Sequence, residues 1–188
     1  MRGLSWPPIG VEGFSPGRRT PIHIRVTSAE GAGGPKGNVM TIKRILHASD
    51  FSPASRSALK VARDLARALK AQLILCHAYE ALPPLGGEAS IPSSLFSQIM
   101  TSAREGATRQ LEKLAKGTRG RGIRVATVLV EGPPATAVIR VARRKGAHLI
   151  VVGTHGRTGV QRMLLGSVAE RIVRLSPCPV LTVRPGRG

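Results

Sequence analysis

Beyond residue 41 the chain alternates short apolar runs with longer stretches whose apolar residues recur at helical spacing. Residues 42–48 (IKRILHA), 72–79 (QLILCHAY), 123–130, 148–152 and 180–184 are too short for helices and rich in branched side chains. They are predicted as strands of a buried parallel sheet. The first intervening helix starts with Ser52 as N-cap and Pro53 in its first turn and runs to about Lys70. Ala58, Leu59, Ala62, Leu65, Ala66 and Leu69 face a core, while Arg56, Lys60, Arg63, Arg67 and Lys70 form a basic stripe. A second helix opens at Ser93 or Ser94 and ends near Lys116, with Ile99, Ala103, Ala107, Leu111 and Leu114 inward. The third covers residues 135–145 and stops at Gly146, as a C-cap would. The fourth follows Gly166-Ser167 and is broken by Pro177. Such alternation predicts an α/β fold: an open five-stranded parallel sheet with helices on both faces. In the strand order 3-2-1-4-5, a ligand would lie between the carboxyl ends of strands one and four.

Residues 1–39 break this pattern. They hold eight Gly and five Pro and show no hydrophobic period, so they are predicted to be a disordered Gly/Pro-rich extension. The domain is expected over residues 40–188, with Met40 as the start of translation if the extension is a mis-called beginning. No apolar stretch follows Arg2 or the Arg18-Arg19 pair, so neither reads as an export signal. No apolar run approaches bilayer length. The two cysteines, Cys76 and Cys178, stand in apolar surroundings without a C-x-x-C pair, which predicts buried reduced thiols in a cytoplasmic protein.

The densest chemical signal is residues 149–168, LIVVGTHGRTGVQRMLLGSV. A strand runs into Gly153-x-x-Gly156, nine residues follow, then Gly166-Ser167 opens a helix whose first amides lack partners and face any nearby anion. The run lacks the Lys after the last Gly that a P-loop requires, and there is no G-x-G-x-x-G after the first strand. Asp50, just past strand one, would stand opposite this loop and accept hydrogen bonds from a ribose hydroxyl or adenine amine.

Together these segments resemble the universal stress protein family. The match spans residues 41–184 and rests on Lys43-Arg44-Ile45-Leu46 through Asp50-Phe51-Ser52, the Gly153 to Ser167 spacing, and Pro177-Cys178-Pro179-Val180-Leu181-Thr182-Val183. The resemblance implies an adenine nucleotide alpha hydrolase-like, Rossmann-like domain of the ATP-binding branch, acting in stress response. It implies that Ala48, Ser49 and Asp50 meet the nucleoside and that the main chain at Ala78 lines the adenine. Val152, Gly153, Gly156, Arg157, Gly166, Ser167 and Val168 would then hold ribose and phosphates, with Mg2+ as the cation to accompany them. Ala48 stands where many members have Pro, and Ala78 where Val is common; both departures loosen the base pocket and leave the phosphate site intact.

Catalysis is weakly indicated. Asp50, Glu80 and Glu131 are the only acids near predicted strand ends, and they form no acid–base pair. His47, His77 and His155 read as core or solvated histidines rather than a metal cluster. Slow, regulatory ATP hydrolysis is the most this site would support. A receiver-type signalling domain is excluded, because strand three ends in Glu131-Gly132 and strand five in Arg184-Pro185. The formal charge of +19 keeps one rival alive, nucleic acid held by the arginine-rich helix face; aromatics at 3% argue against single-strand stacking. The apolar last strand is an edge, which predicts a homodimer through the C-terminal strand.

Overall fold

The computed structural model describes residues 23–25, 41–80, 92–120, 122–154 and 165–184. Its elements in chain order are β1 (His23–Arg25), β2 (Arg44–Ala48), α1 (Pro53–Ala68), β3 (Gln72–Tyr79), α2 (Ser93–Thr118), β4 (Val125–Glu131), α3 (Pro134–Lys145), β5 (Leu149–Gly153), α4 (Ser167–Leu175) and β6 (Val180–Val183). The sheet order is β1-β6-β5-β2-β3-β4. Strands β2 to β6 are parallel and stand in the expected 3-2-1-4-5 order.

The sheet has one strand more than the sequence pattern predicts. His23–Arg25 lies antiparallel on the outer edge of β6, with Ile24 opposite Leu181. Three residues are too few to produce a readable period, and an edge strand gains its hydrogen bonds from a partner far along the chain. The segment was therefore hidden among glycines and prolines. It also means that β6 is not the outermost strand where β1 pairs with it.

Side-chain alternation along the parallel strands splits the core in two. Ile45, Leu73, Leu75, Val151 and Leu181 pack with Ala58, Ala62 and Ala66 of α1 and with Leu111 and Ala115 of α2. Leu46, Ile74, Cys76, Ile150, Val152 and Val180 pack on the other face with Val138, Val141 and Ala142 of α3 and with Ile172 and Val173 of α4. Burying each large aliphatic side chain stabilises by about 1.5–3 kcal/mol, which exceeds the side-chain entropy lost on ordering it.

Local chemistry sets the helix ends. Ser52 Oγ accepts from Ser55 N at 3.1 Å, and Gly146 ends α3 at φ 56°, ψ 50°, a left-handed cap that glycine adopts without strain. Some expected core positions face water. Leu69 and Ile99 are 43% and 36% exposed and Ala103 is exposed, because α1 is already unwinding at its C-cap, Leu69, and the first turns of α2 have little packed against them among the described residues. From Ala107 onward α2 is seated, with Ala107, Leu111 and Ala115 buried.

Candidate functional site

Strands β2 and β5 are neighbours with Leu46 opposite Ile150 and His47 opposite Val151, so Ala48 and Val152 end side by side. Beyond them the chain turns to α1 on one face of the sheet and toward α4 on the other. This is the switch point of an open α/β sheet, where the diverging connections leave a crevice. A cleft of about 830 Å³ opens there.

Ala48, Ser49, Asp50, Ala78, Val152, Gly153, Gly166, Ser167 and Val168 all line this cleft. The two remaining residues of the sequence-derived set, Gly156 and Arg157, lie outside the described residues, as does His155. Residues more than a hundred positions apart are therefore brought around one space.

The Asp50 turn is held by buried polar groups. Ser49 N donates to Cys76 O at 2.8 Å, and His77 Nδ1 donates to Ser49 O at 2.7 Å. Ser49 Oγ accepts from Phe51 N at 3.2 Å and from Ser55 Oγ at 2.9 Å. Asp50 Oδ1 accepts from Ser52 N at 3.0 Å, an Asx turn that leads straight into α1. Phe51 sits at φ 65°, a conformation that strains a bulky residue. Its ring lies 4.3 Å from that of His77, and its carbonyl accepts from Arg56 Nη1 at 2.9 Å. These contacts stabilise the unusual turn and fix where Asp50 stands.

Behind the turn lies His47, fully buried. Its Nδ1 is 3.1 Å from Val151 O, and a carbonyl only accepts, so Nδ1 carries the proton. Nε2 lies 3.4 Å from Ser55 Oγ. Burial lowers the His47 pKa to about 4, the Val151 carbonyl and Asp50 opposing the shift. The imidazole is thus neutral at ordinary pH and ties β2 to the end of β5, while the Ser55 hydroxyl proton goes to Ser49 Oγ.

The opposite wall begins at Gly153. A Cβ added there would lie 3.1 Å from the carbonyl carbon and oxygen of Ala54 and 3.3 Å from Ser55 N. The absent side chain therefore makes room for the first turn of α1, a packing reason that the loop motif does not express. Thr154 N donates to Val183 O at 2.9 Å and Gly166 N donates to Thr154 O at 2.7 Å, so both ends of the intervening loop are joined. Gly166 occupies the N-cap position of α4 with extended backbone, φ −71° and ψ 153°, and no side chain caps the helix. Ser167 is the first helical residue rather than the cap. The leading amides of α4 are donors with no intrahelical partner, at the positive end of the helix dipole.

One wall was missed in the sequence. Ala103, Gly106, Ala107 and Gln110 of α2 line the cleft, at the i, i+3, i+4, i+7 spacing of one helix face. That helix face, with Ala103, Gly106 and Ala107 as its small residues, was readable, but nothing local placed it over the carboxyl ends of the strands. Phe51, His77, Tyr79 and Glu80 line the cleft as well. No group of three His, Cys, Asp or Glu able to hold a metal occurs among the described residues.

The family model for the universal stress protein family matches residues 41–184. The chain belongs to the universal stress protein family. Universal stress protein MJ0531 of Methanocaldococcus jannaschii is 34% identical over 142 residues, covering 76% of this chain and 82% of the relative. The solved structure of MJ0577, from the same organism, aligns with a TM-score of 0.65 and 29% identity over 80% of this chain and all of the other. A universal stress protein family protein from Arabidopsis thaliana, solved with AMP bound, shares the fold at a TM-score of 0.55 and 17% identity, over 77% of this chain and 92% of its own. The universal stress protein domain accounts for all five parallel strands, and β1 lies outside the matched range.

Proposed function

We propose that this universal stress protein binds an adenine nucleotide, ATP, in the cleft between β2 and β5 and acts as a regulatory stress-response module. The observation that carries the reading is the meeting of Asp50 with Gly153 and the uncapped start of α4 around one crevice. A carboxylate on one side suits ribose hydroxyls, and unpartnered amides on the other suit phosphates. The main chain at Ala78 and the small face of α2 leave a slot for the purine. Gly156 and Arg157 complete the phosphate side in this proposal. Mg2+ would arrive with the phosphates, since the described residues offer no three-ligand cage.

Turnover is at most slow. Among the described residues the cleft presents Asp50 and Glu80 as its carboxylates, and His77 Nδ1 donates to Ser49 O, which commits that imidazole proton to holding the turn. Among the described residues no helix is long and apolar enough to cross a membrane; the free thiols of Cys76 and Cys178 fit a cytoplasmic setting. Homodimerisation through the C-terminal strand belongs to the same reading, with a condition. β1 occupies Val180 to Thr182 and must leave before a second β6 can pair there.

Mass spectrometry of the purified, denatured protein tests the ligand, followed by titration of the stripped protein with labelled ATP. Co-purifying adenine nucleotide and saturable ATP binding are expected. Absence of both would remove the proposal.

A further inference from the structure

The charge of this protein is unevenly shared between its two helical layers. On the α1/α2 layer, acids interrupt the basic residues: Asp64 lies 3.7 Å from both Arg63 and Arg67, and Glu105 lies 3.5 Å from Arg109. The α3/α4 layer differs. Its helices carry Arg140, Arg143, Arg144, Lys145, Arg171 and Arg174 against a single acid, Glu170. All six basic side chains are exposed, and no ion pair forms on these helices among the described residues.

Helical spacing orders these charges. Arg140 lies one turn before the adjacent pair Arg143 and Arg144, all three on the side of α3 opposite buried Val138, Val141 and Ala142. Arg171 and Arg174 are likewise one turn apart, opposite Ala169, Ile172 and Val173. The two helices pack against each other on the same sheet face, with axes about 8–10 Å apart. Each helix therefore presents a row of arginines to solvent, stepped by about 5.4 Å per turn.

We propose that the α3/α4 face is a docking surface for the phosphate backbone of duplex DNA, held without base readout. Charge complementarity selects a polyanion, and arginine in preference to lysine suits phosphate, because its planar fork donates two parallel hydrogen bonds. The two helices contain no aromatic residue, which removes the stacking platforms that single strands require. An anionic membrane is the competing occupant. The exposed apolar residues of α4, Val168 and Leu175, sit near its two ends and make no continuous apolar face such as interfacial helices bury. The surface also lies apart from the nucleotide cleft, since none of the five arginines lines it.

The test uses the full chain and fluorescence anisotropy with a short random-sequence duplex. The wild type should bind with a logarithmic salt slope of about −0.9 per phosphate neutralised. The triple variant Arg143→Glu, Arg144→Glu, Arg174→Glu should weaken binding at least about tenfold and flatten that slope by about 2.7. The matched control Lys60→Glu, Lys113→Glu, Lys116→Glu, equal in net charge, should retain most of the affinity. If the Glu variant does not fold cooperatively, the corresponding triple Gln variant is read instead, against an Arg→Lys triple that keeps the charge. Equal loss in both triples, no salt-dependent binding by the wild type, or association with phosphatidylserine vesicles in place of the duplex would each overturn the proposal.

Discussion

His47 offers a direct measure of how firmly the two halves of the cleft are bound together. The imidazole is fully buried and its pKa is lowered from 6.5 to about 4. In the unfolded chain it takes up a proton near 6.5, whereas the native protein resists protonation until about pH 4. Between those limits the unfolded state binds more protons, so stability falls as the pH drops through this window. Nothing is lost above pH 6.5, and the loss is complete below about 4. One pH unit of displacement corresponds to about 1.36 kcal/mol, which puts the full loss on the order of 3 kcal/mol. The perturbation is His47→Asn, which retains an N–H near Val151 O but cannot titrate. At neutral pH it should cost about 1–3 kcal/mol for the disturbed buried hydrogen bonds. Urea unfolding at a series of pH values from 8 to 4 supplies the comparison. The wild type should lose about 3 kcal/mol more than the variant over that range. Parallel pH profiles would show that His47 is reached by water in the native protein and that its link to Val151 does not hold.

Other substitutions separate binding from folding. Gly153→Ala places a Cβ 3.1 Å from the Ala54 backbone and should destabilise by about 1–3 kcal/mol, as overpacked sites do; an unchanged melting temperature would show that α1 yields freely. Asp50→Asn keeps the oxygen that accepts from Ser52 N and removes the charge, so ATP binding should weaken by about 1–3 kcal/mol with little change in melting; equal affinity by calorimetry would reduce Asp50 to a turn former. Cys76 is pushed up to about 12 by burial, so iodoacetamide should modify half-buried Cys178 first; mass spectrometry showing Cys76 alkylated first would contradict the packing of β3. A chain lacking residues 1–39 uncovers the β6 edge and should sediment at higher mass than the full chain; no increase at micromolar concentration would dissociate β1 from assembly.

The parallel sheet and the two sides of the cleft were legible because their signals are local. A short apolar run rich in branched residues reads as a buried strand, and the spacing from Gly153 to Ser167 marks a loop ending in a helix start. Their meeting with Asp50 followed from strand order. What escaped was non-local. The α2 wall depends on where the helix lands after residues 81–91, and Ile99 was placed inward although little packs against the opening of that helix. Gly153 was legible as a glycine that something requires, yet its neighbour, the Ala54 backbone, lies 99 positions away. The basic stripe on α1 stood out in the sequence, while the arginines of α3 and α4 form one surface only when the two helices lie side by side.

The pairing of β1 with β6 has a kinetic side. Arg25 meets Val180 across nearly the whole length of the chain, and this is the longest-range strand pairing in the sheet. Contacts of such sequence separation form late, since the loop they close must be ordered first. β1 is synthesised before any other strand described, yet its partner is the last to be made. Until β6 docks beside β5, residues 23–25 lack their own partner strand. The parallel domain must therefore be assembled before its sixth strand, and refolding followed at β1 should trail refolding followed at the β2–β5 centre.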